Sequence, residues 1–122
     1  MATITALKNI IEGLDKNVAT KKLMVIEVNR LSDNLVKTLE KSGHITVIKR
    51  TNKQIIIRPS PGAVCFRSVK TENVKKNKLL SMATAQLPAV TGSLLLYTRC
   101  GVMDHNSAVN NNIGGQVFGW CY

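Results

Sequence analysis

Cys100, Asp104 and His105 stand close together in the chain. A thiol near a carboxylate and an imidazole is the residue set of a cysteine nucleophile with its base. The spacing favours a plainer use. Asp104 reads as a helix N-cap, His105 as an exposed residue of the first turn, and no third group with orienting chemistry stands nearby. His44, the other histidine, follows Gly43 just before a strand and reads as a surface or boundary residue. Metal binding needs three or four ligands at workable spacing, and Cys65, Cys100 and Cys121 are scattered, with no C-x-x-C pair. There is no P-loop and no G-x-G-x-x-G. The reading is therefore not an enzyme: no catalytic residue, no metal, no cofactor and no small-molecule substrate.

Charge points elsewhere. Seventeen Lys and Arg face seven Asp and Glu, a formal net charge of +10 on 122 residues. A small globular chain does not need that excess for solubility. It fits a polyanionic partner, because each phosphate neutralised releases counterions. Residues 1–62 hold a net +6 and residues 63–122 a net +4, yet no Lys or Arg follows Arg99. Recognition by that tail must rest on hydroxyls, amides and backbone N–H groups, with lysines elsewhere holding phosphates. Lys70 to Lys78 carries four lysines and one glutamate and is weighed as a phosphate contact against a merely solvated segment.

The elements that would hold these groups can be read from periodicity. Ile4, Leu7, Ile10, Ile11 and Leu14 recur at helical spacing, with Thr3 as a cap. Leu23 to Val28 reads as a strand. Leu31, Leu35, Val36 and Leu39 form a second helical stripe, started by Asn29 or Ser32 and stopped by Gly43 in the C′ position. Ile45 to Arg50 and Lys53 to Arg58 flank a Thr51-Asn52 turn as a hairpin. Pro59-Ser60-Pro61-Gly62 is the clearest boundary. Beyond it Ala63 to Phe66 reads as a short strand, Lys70 to Lys78 as a loop or a short helix, and Ser93 to Thr98 as a strong strand. A polar helix from Asp104 through Asn110 ends at Gly114-Gly115, and Gln116 to Tyr122 makes the last strand. The fold class is α+β in two small lobes: an N-terminal α-β-α-β-β lobe over 1–58, a linker over 59–62, and a mostly β lobe with a short helix over 63–122. Leu7, Ile10, Ile11, Leu35, Leu39, Ile45, Ile55 and Ile57 are assigned to the first core, and Leu94, Leu96, Val117 and Phe118 to the second. Apolar residues make up 44%, enough for such cores with little aromatic content. An odd count of cysteines suits free thiols, no apolar run reaches spanning length, and the N-terminus has no basic start or h-region. A cytoplasmic location without membrane attachment is the expectation.

Thr98-Arg99-Cys100-Gly101-Val102-Met103-Asp104-His105, followed by Ile113-Gly114-Gly115-Gln116-Val117-Phe118-Gly119, resembles the C-terminal signature of the S-eight family of small-subunit ribosomal proteins. In that family a hydroxyl-rich strand end precedes Gly-(Ile/Val)-Met, a short helix, then Thr-Gly-Gly and the last strand. Gly101-Val102-Met103-Asp104-His105 is similar to the archaeal and eukaryotic cytosolic branch. Ala6 to Ile10 is similar to the first helix of the family, and Leu39 to Ile45 to the end of its second, so the resemblance covers nearly the whole chain. The chain departs from the pattern in placing Arg99 where a serine is usual, Ile113 where a threonine is usual, and Ser107-Ala108-Val109 for Glu-Ala-Arg.

The resemblance implies a two-lobed α+β protein of the small subunit that binds the central domain of its rRNA and supports assembly beside neighbouring ribosomal proteins. It implies a cytoplasmic ribosome, with an organellar one as the alternative. An RNA-binding regulator outside the ribosome is the alternative function. Thr98, Gly101, Gly114 and Gly115 match the family motif position by position and, with Arg99, are expected to form the main RNA-reading patch. Lys8, Asn29 and Arg30 are expected as outer contacts. On this reading Gly115→Ala should cut RNA affinity while leaving stability nearly intact.

Overall fold

The computed structural model describes residues 3–87 and 92–122. Its elements are α1 (Thr3–Asn17), β1 (Met24–Glu27), α2 (Arg30–Lys41), β2 (Ile45–Arg50), β3 (Gln54–Pro59), β4 (Phe66–Val74), α3 (Leu79–Gln86), β5 (Ser93–Thr98), β6 (Gly101–Asp104), α4 (His105–Asn110) and β7 (Gly115–Cys121), with a 3-10 turn over Lys76–Lys78. This is the α+β class, in two antiparallel sheets of order β1-β3-β2 and β4-β7-β5-β6. The capping role expected of the Thr3 side chain lies outside the described residues.

The ends of α2 show how sequence sets local structure. The Asn29 side chain accepts from the Ser32 amide at 2.9 Å, and the Ser32 hydroxyl accepts from the Asn29 amide at 2.9 Å. This capping box satisfies two otherwise orphaned donors. At the other end Gly43, at φ +84°, sits in the left-handed region, and the His44 and Gly43 amides donate to Leu39 and Glu40 carbonyls. That is the Schellman stop expected of this glycine. Pro59, expected to open the linker, instead ends β3 opposite Ile45. It sits at the last position of its strand, where the missing N–H costs least.

One core holds both parts of the chain together. Leu7, Ile11 and Leu14 of α1, Leu35, Val36 and Leu39 of α2, and Ile26, Ile45, Ile55 and Ile57 of the three-stranded sheet pack with Phe66, Leu95, Val102, Phe118 and Cys121. Phe118, assigned by sequence to a second core, therefore belongs to the first. Its neighbour Val117 points the other way, as strand alternation requires. Ile10 is only partly buried at the margin. The second cluster joins Leu94, Leu96 and Val117 to Leu79 and Ala83 of α3, Ala108 of α4 and Ile113. The four-stranded sheet thus has a core on each face.

Several sequence expectations are corrected. The short strand expected over Ala63–Phe66 begins only at Phe66 and runs nine residues to Val74. The lysine segment is strand, then 3-10 turn, and a further helix, α3, follows it. Asp104 does cap α4, accepting from the Ser107 amide at 2.9 Å. That helix is stopped not by Gly114-Gly115 but by Asn112, at φ +58°. The Asn112 and Ile113 amides return to Val109 and Ala108 carbonyls, and asparagine tolerates the left-handed region better than most residues.

Both histidines are buried, not superficial. His44 Nδ1 lies 2.8 Å from the Ser42 hydroxyl. His105 Nδ1 accepts the Leu94 amide at 3.1 Å, which puts the proton of the neutral ring on Nε2. Burial pushes both imidazoles below their ordinary range, and the charge of Asp104 only partly opposes it. Sequence placed His105 outward because a first helical turn is usually exposed; here the ring supplies an acceptor to a buried strand amide. Cys100 is exposed, at the far end of β6, about 13 Å along the strand from the α4 start. The thiol–imidazole arrangement is not assembled.

Candidate nucleic-acid interface

Three connections meet at one end of the four-stranded sheet. β4 ends at Val74, β7 starts at Gly115 directly opposite it, and Thr98 at the end of β5 pairs with Gly101 at the start of β6. Taken in strand order, the segments 74–78, 114–115 and 98–101 form one continuous edge about 14 Å wide, three inter-strand spacings. α2 extends it. A Cβ on Gly101 would lie 3.0 Å from Asn34 Nδ2, and the Thr38 hydroxyl donates to the Val102 carbonyl at 3.2 Å. Arg30 lies one turn before Asn34 on the same helix face.

Lys8 flanks the opposite side. Asp15 accepts from the Phe66 amide and Glu12 from the Ser68 hydroxyl, so α1 runs back along β4. One further turn places Lys8 near the level of Lys70. Thr98, Arg99, Gly101, Gly114 and Gly115 are thus gathered at this sheet end with Arg30 beside them, whereas Lys8, level with Lys70, stands about 13 Å short of it along β4. Asn29 is exposed beside Arg30, but its side-chain oxygen is already committed to the helix cap.

The motif residues themselves serve the chain. Thr98 is buried, its hydroxyl donating to the Gly101 carbonyl at 2.8 Å and accepting from the Cys100 amide at 3.1 Å. It shapes the turn and offers little to a ligand. Gly101 needs its φ of +107°. A Cβ on Gly114 would stand 2.4 Å from the Val74 carbonyl oxygen and 2.9 Å from the Lys76 nitrogen. One on Gly115 would stand 2.8 Å from the Tyr97 carbonyl oxygen. These are backbone atoms that cannot step aside. Gly115→Ala must therefore disturb the fold, contrary to the expectation that stability would be nearly intact.

What faces outward is charge. Arg30, Lys75, Lys76, Lys78 and Arg99 are all exposed. The ion pairs among the described residues are those of Asp33 with Lys37 and Arg50. Burial acts to raise the Asp33 carboxyl, but the hydrogen bonds and charges of Lys37 and Arg50 outweigh it and hold the group below its usual range. The cations of the edge remain unpaired among the described residues. Arg99 shares a hollow with Asn112, Ile113 and Gly114, which puts a cationic residue beside the first glycine of the pair. Lys75 and Lys78 line a neighbouring hollow with Glu72, Ser81 and Met82.

Sequence reasoning weighed the lysine run but not its place beside Gly114, and it missed Asn34 and Asn112. The run Asn110-Asn111-Asn112 just before Gly114-Gly115 was the available signal for Asn112. Among the described residues no group of three His, Cys, Asp or Glu side chains is placed to hold a metal. No described helix is long and apolar enough to cross a membrane.

The family model described as Ribosomal protein S8 matches residues 4–122. A curated relative, the small ribosomal subunit protein uS8 of Nitrosopumilus maritimus (strain SCM1), is 28% identical over 130 residues, covering 100% of both chains.

Proposed function

Because the chain belongs to the ribosomal protein S8 family, we propose that it is a structural constituent of the small ribosomal subunit which binds the central domain of the rRNA and supports its assembly. The observation that carries the reading is the sheet edge at which Arg30, Lys75, Lys76, Lys78 and Arg99 stand exposed around a close-packed glycine pair. RNA backbone is recognised by such an arrangement: cations hold phosphates, while a rigid, low-relief surface lets the sugar-phosphate chain approach. The proposed contacts are Arg99, Arg30 and Lys8, with the Lys75–Lys78 segment added. Thr98, Gly101, Gly114 and Gly115 set the shape of the platform, and Asn29 fixes the α2 terminus beside it. Neighbouring small-subunit proteins are its other partners, and the ribosome in the cytoplasm its location.

Stable co-sedimentation of the tagged chain with small subunits, through a high-salt wash, tests the reading. A chain found only in the ribosome-free fraction, bound to other RNAs, would instead support an RNA-binding regulator.

A further inference from the structure

Two acids follow Gly62, and one of them, Asp104, caps α4. The other, Glu72, is exposed and makes no ion pair among the described residues. Its register partner on β7 is Val117, and Val74, two residues on, stands opposite Gly115. Opposed residues share a face, and Val117 and Val74 pack in the second core. Glu72 therefore lies on the face that α3 covers. Lys78, Ser81 and Met82 come round to meet it from α3 and its lead-in turn, spaced as one helix face. With Val74 and Lys75 these residues line a hollow of about 720 Å³, within the range of small-ligand sites, roughly 300–1,000 Å³. Val74 and Met82 supply apolar surface, Glu72 a carboxylate, and Lys75 and Lys78 cations.

We propose that this hollow takes an unpaired guanine of the bound rRNA, with Glu72 accepting hydrogen bonds from its Watson–Crick edge. The proposal rests on the ribosomal reading above and adds a base reader to the cationic edge. Lys75 and Lys78 belong to both, so a strand whose phosphates lie on the edge brings a nucleotide to the hollow. A carboxylate only accepts, and does so through two oxygens. Guanine alone sets two donors side by side, N1–H and the N2 amino group. Cytosine and adenine place a ring acceptor beside their amino group, and uracil flanks its one N–H with carbonyls. Each of these turns a lone pair toward Glu72. Met82 offers its thioether to the ring. The other bidentate partner of a carboxylate, an arginine of a neighbouring protein, would be repelled by Lys75 and Lys78. A carboxylate with no base to read would only repel phosphates from this surface.

The test is analogue interference on a central-domain rRNA fragment, with inosine, which lacks the N2 amino group, scattered at guanosine positions. The full chain is compared with Glu72→Gln, whose melting should match wild type because the side chain is exposed. Salt-dependent binding by the wild type is scored first and tests the ribosomal reading alone. In the fraction that the wild type binds, inosine should be depleted at one unpaired guanosine. With Glu72→Gln that depletion should vanish and affinity should fall about tenfold or more, the scale of one bidentate base contact, at unchanged salt slope. An idle carboxylate predicts the opposite sign, a gain in affinity. A gain, an unchanged affinity, no depleted guanosine, or depletion that persists in the variant would overturn the guanine site and leave the edge standing. Loss of a protein neighbour from small subunits with normal RNA binding would also overturn it, and would give the hollow to an arginine of that protein. A wild type that fails to bind the fragment would overturn the ribosomal reading, and this proposal with it.

Discussion

The two sheets use the same core on one face and differ in what they do with the other. The three-stranded sheet leaves Val25 and Ile48 to solvent. The four-stranded sheet covers Leu94, Leu96 and Val117 with α3, α4 and Ile113. That covering layer does more than hide apolar surface. The 3-10 turn leading into α3 carries Lys76 and Lys78 to the sheet end, and the turn out of α4 delivers Gly114 against Val74 and Lys76. The lid of the second core is thus also the scaffold of the cationic edge, while the bare face of the first sheet has no such role.

Truncation should expose this difference. Leu39→Ala in the shared core and Leu96→Ala under the covering layer should each cost about 2–5 kcal/mol. Val25→Thr on the open face should stay within about 0.5 kcal/mol. Chemical denaturation of the three variants checks the order; a large loss at Val25 would mean that its face is covered after all. Leu39 also tests unity, since its core draws on both sheets. Its variant should lose both lobes in one transition, and separate transitions would break the shared-core account.

Gly115→Ala comes next. Its Cβ meets the Tyr97 carbonyl oxygen, so the strand pair must shift, at a cost of about 1–3 kcal/mol. The melting temperature should fall along with RNA affinity. Lost affinity at unchanged stability would restore Gly115 as a direct contact.

Acid should act on both lobes through the histidines. Burial holds His44 and His105 below the ordinary imidazole pKa of about 6.5, so below that pH the unfolded chain binds more protons than the folded one. Stability contributed by the neutral rings is intact above about pH 6.5 and is lost as pH falls through the lowered folded values. Melting curves between pH 7.5 and pH 5 should show the decline, and a flat or rising melting temperature would contradict the buried placement.

The parts read correctly from sequence were those with strong local signals. The α2 stripe, its Asn29 cap and Gly43 stop, and β5 over Ser93–Thr98 all appear where periodicity put them. α3 escaped because Leu79 and Ala83 are its only buried residues, too few to make a stripe. β6 is four residues long and was visible only as part of a motif. In the candidate site, the motif showed which residues belong together, and the structure brings Thr98, Arg99, Gly101, Gly114 and Gly115 to one sheet end, but how they are packed was not legible. Thr98 and the glycines looked like ligand contacts because their partners, Cys100 N–H, Val74 carbonyl and Tyr97 carbonyl, are set by tertiary packing that no local pattern displays.

The central claim is that exposed cations at the sheet edge hold rRNA phosphates, and a salt titration of binding to a central-domain rRNA fragment tests it most directly. With about six phosphates contacted, affinity should fall on the order of a thousandfold from low to moderate salt. Arg99→Ala should reduce the slope of log affinity against log salt by about one unit, and Lys75, Lys76 and Lys78 changed together to alanine by about two to three. A flat wild-type response, or an unchanged slope in the triple variant, would contradict the account.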